Sequence, residues 1–389
     1  MSVQPDFIIH RIQHHCQLTI FSIIDTCALA ALAAVSAVSA QSSVTLYGRI
    51  DAGYSNVENQ SSVGGLNSTK SGIGSDGLNT SLWGIKGSED LGGGMKASFQ
   101  LESSLNSTDG SGMTGFNRVS TLGLSGNFGE FKVGRDYTPI YSVITATDIF
   151  SRTGATTVNL IPTGTRTSNM VSYSTPTFAG FTVKGMVGDN KSSDTATGSS
   201  TLNPAAAAET SNKTTGLSAV YDNGPFMVSL AWGESKGASS DPTIANNFSY
   251  TTTASGQQDG TAIAASYDFG VVKLFANYIE SEIRPDAGNN RIEAKETNLG
   301  VTVPIGAFTL LAAYGHNDTK SNYNSNSYAA PTINGNGNDY VLGATYDLSK
   351  RTALYLKTGS YNKVTGTILG YNNADYKSTA TALGIRHTF

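Results

Sequence analysis

Past residue 40 this chain of 389 residues contains no cysteine, because Cys16 and Cys27 both precede that point. Disulfides, thiolate metal sites and Cys nucleophiles are thereby removed together from residues 41–389. Histidine is nearly as scarce, with only His316 and His387 in that span. Phospholipase or protease chemistry needs a nucleophile with a base in reach, and neither His sits in a motif with such a partner. Charge is thin too: 14% of residues are charged, against roughly 25% in soluble domains. Long apolar runs are absent after the first 40 residues, and the mean hydropathy of −0.16 argues against a bundle of membrane helices.

The one apolar stretch runs from about Leu18 to Val38 and ends in Val38-Ser39-Ala40 before Gln41. Small residues at the last and third-last positions suit signal peptidase. Residues 1–40 are therefore expected to be a cleaved secretion signal, leaving 41–389 as a single domain. Asp25 in mid-stretch speaks against a membrane anchor, while Asp6, Arg11 and three His residues make an unusual charged start. The remaining 24 basic and 27 acidic residues give a formal charge of −3, too mild to imply a nucleic-acid partner.

What is present is glycine, at 43 residues, and 33 Tyr plus Phe. From Gln41 to the end, segments of about ten residues alternate apolar with polar or small residues, the signature of half-buried strands. Sixteen such segments start near residues 44, 79, 94, 116, 130, 166, 180, 214, 226, 259, 271, 295, 307, 338, 352 and 378. About ten tilted residues cross a bilayer as a strand. Short connections, such as Asp222-Asn223-Gly224-Pro225 and Pro304-Ile305-Gly306, alternate with long ones rich in Ser, Thr, Asn and Gly at 189–213, 234–258 and 316–338. Turns at one end and long loops at the other describe an all-β, sixteen-stranded antiparallel transmembrane barrel. Lipid offers nothing to satisfy an open sheet edge, so the sheet must close. In the first strand Val44, Leu46, Ile50, Ala52 and Tyr54 share one face and Thr45, Tyr47, Arg49 and Asp51 the other. The apolar set is assigned to lipid and the polar set to the lumen, with Tyr54, Phe308 and Tyr314 as interfacial aromatics. The same parity turns Lys86 and Lys184 to the lumen. Gly72-Ile73-Gly74-Ser75-Asp76-Gly77 matches a dinucleotide fingerprint but has no strand–turn–helix context. No cofactor or metal is expected.

Several motifs together are specific: Val44-Thr45-Leu46-Tyr47-Gly48, Lys86-Gly87-Ser88-Glu89-Asp90-Leu91-Gly92, Val133-Gly134-Arg135-Asp136-Tyr137, Tyr346-Asp347-Leu348-Ser349-Lys350-Arg351-Thr352 and Gly384-Ile385-Arg386-His387-Thr388-Phe389. On these the chain, from residue 42 to 389, resembles the general porins of Gram-negative bacteria, of the beta-proteobacterial type. The resemblance implies an outer-membrane location, a homotrimer and passive diffusion of ions and small hydrophilic solutes. It leaves a substrate-specific channel of the same fold as the alternative, and a barrel enzyme as a remote one. It also implies that the final aromatic, Phe389, marks the chain for the barrel-assembly machinery.

The resemblance implies further that the third long loop, about 136–165, folds inward and carries an acid, Asp148. Opposite it the family places basic residues on the wall, here Arg49, Arg118 and Arg166. Periodicity supports Arg49 and Arg166. It does not resolve Arg118, since Leu122 and Leu124 have its parity. Lys86, Lys184 and Asp51 are expected to be general lining. Two departures stand out: Leu82 where a basic residue commonly precedes Trp-Gly-Ile-Lys, and Ser151-Arg152 where a second acid often follows. Rings of charge in a narrow pore decide which ions enter, and the balance of Arg over Asp gives an expected mild anion preference.

Overall fold

The computed structural model describes residues 43–61, 67–151, 153, 157–158, 160–191, 211–238, 255–285, 291–321, 335–362, 366–368, 371–374 and 376–389. The expected signal, residues 1–40, lies outside them. The strands in chain order are β1 (Ser43–Ser61), β2 (Ser68–Ser75), β3 (Leu82–Gly92), β4 (Met95–Ser104), β5 (Val119–Gly126), β6 (Gly129–Tyr137), β7 (Arg166–Ser174), β8 (Phe181–Lys191), β9 (Ser211–Asn223) and β10 (Phe226–Ala238). They continue as β11 (Ser255–Asp268), β12 (Lys273–Pro285), β13 (Ile292–Ile305), β14 (Phe308–Ser321), β15 (Gly335–Asp347), β16 (Thr352–Asn362), the small pair β17 (Gly366–Ile368) and β18 (Tyr371–Ala374), and β19 (Tyr376–Thr388). Among the described residues one helix, α1 (Pro139–Thr145), precedes β7.

Each strand pairs antiparallel with its neighbour, and β19 returns to β1 with Arg49 opposite Thr388 and Ser61 opposite Tyr376. The last peptide completes the seam: Gly48 N donates to Phe389 O at 3.0 Å and Phe389 N to Gly48 O at 3.1 Å. The sheet is thus a closed barrel of sixteen wall strands, since β2 and β3 are two parts of one. β1 pairs with β3 up to Arg49–Leu82 and with β2 from Ala52–Ser75 onward. Periodicity placed this strand's start near residue 79. The structure starts it at Ser68 and takes residues 76–81 out of the ladder.

Alternation is why these segments are strands. In β16, Leu354 and Leu356 are 42% and 54% exposed, while Tyr355 and Lys357 between and after them are 4% and 1%. The apolar face is outermost, as a wall in lipid requires. At the short-turn ends the aromatic rings touch in series, with Phe131 on Tyr173 at 4.7 Å, Phe181 on Tyr221 at 4.6 Å and Phe308 on Tyr346 at 4.6 Å between centroids. Gly224 and Gly306 hold the turns at φ 61° and 62°, a left-handed conformation that costs a glycine nothing.

Strands β10 to β13 run further than the apolar pattern suggests. Beyond Trp232, Ile263, Tyr278 and Leu299 the outward positions become polar or charged rather than apolar. They pair across strands or along one strand: Lys295 with Glu280 at 2.9 Å and Lys236 with Glu234 at 2.8 Å. The ladder continues where the hydrophobic signal stops, so 234–238 and 255–258 are strand rather than loop.

Candidate functional site

Among the described residues, the segment 138–163 is the longest connection that packs on the wall. Thr138 caps α1, its hydroxyl accepting from Tyr141 N at 3.3 Å, and Pro139 opens the helix. Alternation could not reveal this helix, whose apolar Ile140, Val143 and Ile144 recur at i, i+3 and i+4 rather than at every second residue. Its Ile140, Val143 and Ile144, with Val158 and Leu160, are buried against Ala231, Ala262, Ala264, Ile279 and Ala294 of β10 to β13. Those wall residues alternate along their strands with the exposed apolar set. Small residues make the approach possible. A side chain at Gly260 would collide with Pro162, and one at Gly216 with Pro139.

Polar contacts hold other described residues of the segment. Asn277 Nδ2 donates to Thr147 Oγ1 at 2.9 Å, and Leu160 N to Glu296 Oε2 at 2.8 Å. Phe150 is 1% exposed, packed among Leu78, Val341, Tyr355 and Ala382. Lys357 Nζ donates to Thr153 O and to Thr153 Oγ1, and lies 5.8 Å from the Phe150 ring centroid. Asp148 Oδ1 accepts from Phe150 N at 3.1 Å. Lys357 has Asp148 and Asp51 as its charged neighbours.

Residues 76–81, the excursion between β2 and β3, are gathered on Asp51. That carboxylate is fully buried and accepts from Gly77 N at 3.0 Å, Leu78 N at 3.1 Å, Asn79 N at 2.7 Å and the Tyr355 hydroxyl at 2.7 Å. Four donors around one carboxylate offset the cost of burying it. Parity alone listed Asp51 as lining; the structure gives it an anchoring position under the excursion. Arg49 donates from Nε and Nη2 to Thr80 O at 3.0 and 2.9 Å. Asn79 reaches the long segment, its Nδ2 donating to Ser151 Oγ at 2.5 Å.

The remaining expected residues gather on the wall beside it. Arg118 Nε meets Glu102 Oε1 at 2.6 Å, and its Nη2 donates to the Tyr137 hydroxyl at 2.8 Å. Arg166 Nη2 donates to the same hydroxyl at 2.9 Å, with its guanidinium 4.4 Å from the Tyr137 ring centroid. Arg118 precedes the first ladder residue of β5, which is why strand parity could not place it. Lys184 pairs with Asp136 at 3.5 Å, and Lys86 lies 5.3 Å from the Tyr47 ring centroid toward the short-turn end.

Four residues near this cluster carry no expectation from the sequence. Glu102 and Tyr137 knit the arginines together. Arg135 donates to Asn117 O at 2.8 Å and Ser168 Oγ at 2.7 Å. It sits where the β6–β7 register shifts, and such a bulge re-aims a side chain. Arg386 Nη1 donates to Asn79 Oδ1 at 2.8 Å; its parity, opposite to Leu383 and Ile385, was the available signal. Among the described residues no group of three or more His, Cys, Asp or Glu is placed to hold a metal.

Comparison with known proteins agrees with the barrel fold. A sequence model for a family described as Gram-negative porin matches residues 28–366. Outer membrane porin protein 32 of Delftia acidovorans is 34% identical, over 93% of this chain and 98% of its own. An outer membrane porin protein of Bordetella pertussis is 31% identical, over 90% and 95%. Among solved structures, an anion-selective porin from Comamonas acidovorans superposes with a TM-score of 0.70 at 29% identity, covering 90% of this chain and all of that one.

Proposed function

The chain belongs to the Gram-negative porin family, and from that premise we propose that segment 136–165 lies within the lumen and narrows it against a wall of arginines. The protein is an outer-membrane porin, a water-filled channel for passive diffusion, from a family of channels rather than of enzymes. The observation that carries the proposal is the packing of this one segment on the inner-face positions of strands from β9 to β16. A segment outside a closed barrel has no access to those positions.

In the proposed constriction Arg49, Arg166 and Arg118 stand on one side and Asp148 on the loop. Arg118 is paired with Glu102, so its charge counts for less than the other two. Leu82 adds none. The surplus is positive and small, and fixed charges in a narrow low-dielectric passage focus the field, which favours anions mildly. A similar structure described as anion-selective supports the sign. Lys86 is a lining charge near the short-turn mouth, and Lys184 one already matched by Asp136.

Residues 1–40 are a cleaved signal in this reading, and the barrel assembles as a homotrimer, since homo-oligomers of this kind close symmetrically. Phe389, at the seam beside Gly48, marks the last strand for the assembly machinery. Reconstitution of the purified protein in a planar bilayer tests the whole reading. Stepwise conductance with a reversal potential on the anion side supports it, and a protein that inserts without conducting overturns it.

A further inference from the structure

We propose that Arg386, on the last strand, is a further selectivity-determining charge of the pore, held in place by Asn79. The inference rests on the reading of the chain as a porin and adds a residue to it. Arg386 stands between Ile385, 44% exposed on the lipid face, and the outward His387, so its own side chain belongs to the inner face with Ala382. In register it lies opposite Asp51 of β1 and Ala353 of β16. Asp51 is the one carboxylate opposite it; its hydrogen bonds come from the neutral donors of Gly77, Leu78, Asn79 and Tyr355, so it keeps its charge and offsets one of the arginines beside it. Among the described residues neither Arg386 nor Arg49 forms an ion pair, and the two are like-charged neighbours.

Both guanidiniums are instead held by neutral acceptors of the 76–81 excursion: Arg49 by Thr80 O, Arg386 by Asn79 Oδ1. Neutral acceptors orient a guanidinium without cancelling its charge. Asn79 also donates to Ser151 Oγ, so one amide fixes Arg386 relative to the long segment that narrows the passage. Leu82, opposite Arg49 in register, supplies no charge here. Arg386 therefore brings a second positive charge to this part of the wall, two guanidiniums against the one carboxylate of Asp51, from a strand at the far end of the sequence.

The test is a set of reversal potentials across a KCl gradient at low ionic strength, for the unboiled assembled protein. Arg386→Gln removes the charge, Arg386→Lys keeps it, and Asn79→Asp neutralises it from the partner's side without touching the last strand. The chloride-to-potassium permeability ratio is expected to fall about two- to five-fold in Arg386→Gln and Asn79→Asp, the scale of one unit charge a few ångströms from the path. Arg386→Lys should keep the ratio. If Arg386→Gln fails to assemble, Asn79→Asp decides. An unchanged ratio in an Asn79→Asp channel of normal conductance overturns the inference while leaving the porin reading intact. A wild-type protein that forms no channel overturns both.

Discussion

Glu102 Oε1 lies 2.6 Å from Arg118 Nε, with both side chains near one-tenth exposed. Arg118 and Arg166 share the Tyr137 hydroxyl, so two arginines at one point of the wall differ mainly in that one has a carboxylate partner. Removing the partner should reveal the difference. Glu102→Gln keeps a hydrogen-bond acceptor and frees the Arg118 charge, and is expected to raise anion preference. The shift should stay within about five-fold, the worth of one charge at about 4 Å in water, roughly 1 kcal/mol. Reversal potentials under a salt gradient read it directly. A shift toward cations would show that Glu102 does not set the sign at this place.

The loop acid and the wall bases should act in opposite senses. Asp148→Asn is expected to raise anion preference, and Arg49→Ala combined with Arg166→Ala to abolish or reverse it. Both effects should shrink between about 0.1 M and 1 M salt as the Debye length falls from about 10 Å to about 3 Å. Selectivity that did not respond to ionic strength would point to a steric rather than an electrostatic filter.

Asp51 should matter to the shape of the passage more than to its charge. Asp51→Ala leaves the amides of Gly77, Leu78 and Asn79 without their acceptor. Hydrogen bonds to charged groups are worth about 1.5–3 kcal/mol each, so at least that much stability should be lost. Expected readouts are a lower temperature for loss of the unboiled band on a gel, and noisier single-channel current. Asp51→Asn, which retains one acceptor oxygen, should be milder. Equal stability of wild type and Asp51→Ala would remove the anchoring role.

The seam at the chain's end predicts a matched pair of variants. Gly48 has no side chain, and one added there would collide with the Phe389 ring. Gly48→Val and Phe389→Ala should therefore both lower the yield of assembled barrel, the first by obstructing the ring and the second by deleting it. Channels that do form should conduct normally, because neither residue faces the lumen. Yield is scored as the fraction migrating as folded protein without boiling. Normal yield for Gly48→Val would mean that the ring's seat is dispensable.

Period-two alternation made the barrel legible, and it did so because one face meets lipid and the other water along every wall strand. The same signal gives Lys86 and Lys184 a lumenal parity and supports Arg49 and Arg166, which the family resemblance supplies. It failed where backbone leaves the ladder. The excursion at 76–81 interrupts a strand that continues on both sides, and Gly, Ser and Asp there read as an ordinary loop. Arg118 precedes its strand and Arg135 sits at a register shift, so parity speaks for neither. Asp51 shows another limit: parity gives the direction of a side chain, not whether that side chain is exposed on arrival. Nothing local marks Asp51 as the acceptor for three consecutive amides about 26 residues away.

Strands β11, β13 and β14 are 14 residues long. At about 3.3 Å per residue and a tilt near 40° they rise about 35 Å, some 10 Å more than the apolar band of a bacterial outer membrane. On this half of the barrel a phage or an antibody therefore meets stiff hydrogen-bonded backbone before the bilayer surface. In register its acids face one another, Glu234 opposite Asp259, Asp259 opposite Glu282 and Glu282 opposite Glu293, and Lys236, Arg284 and Arg291 bridge them. Like charges placed opposite one another destabilise a sheet, so loss of Arg284 or Arg291 leaves this row of acids without its counter-charge.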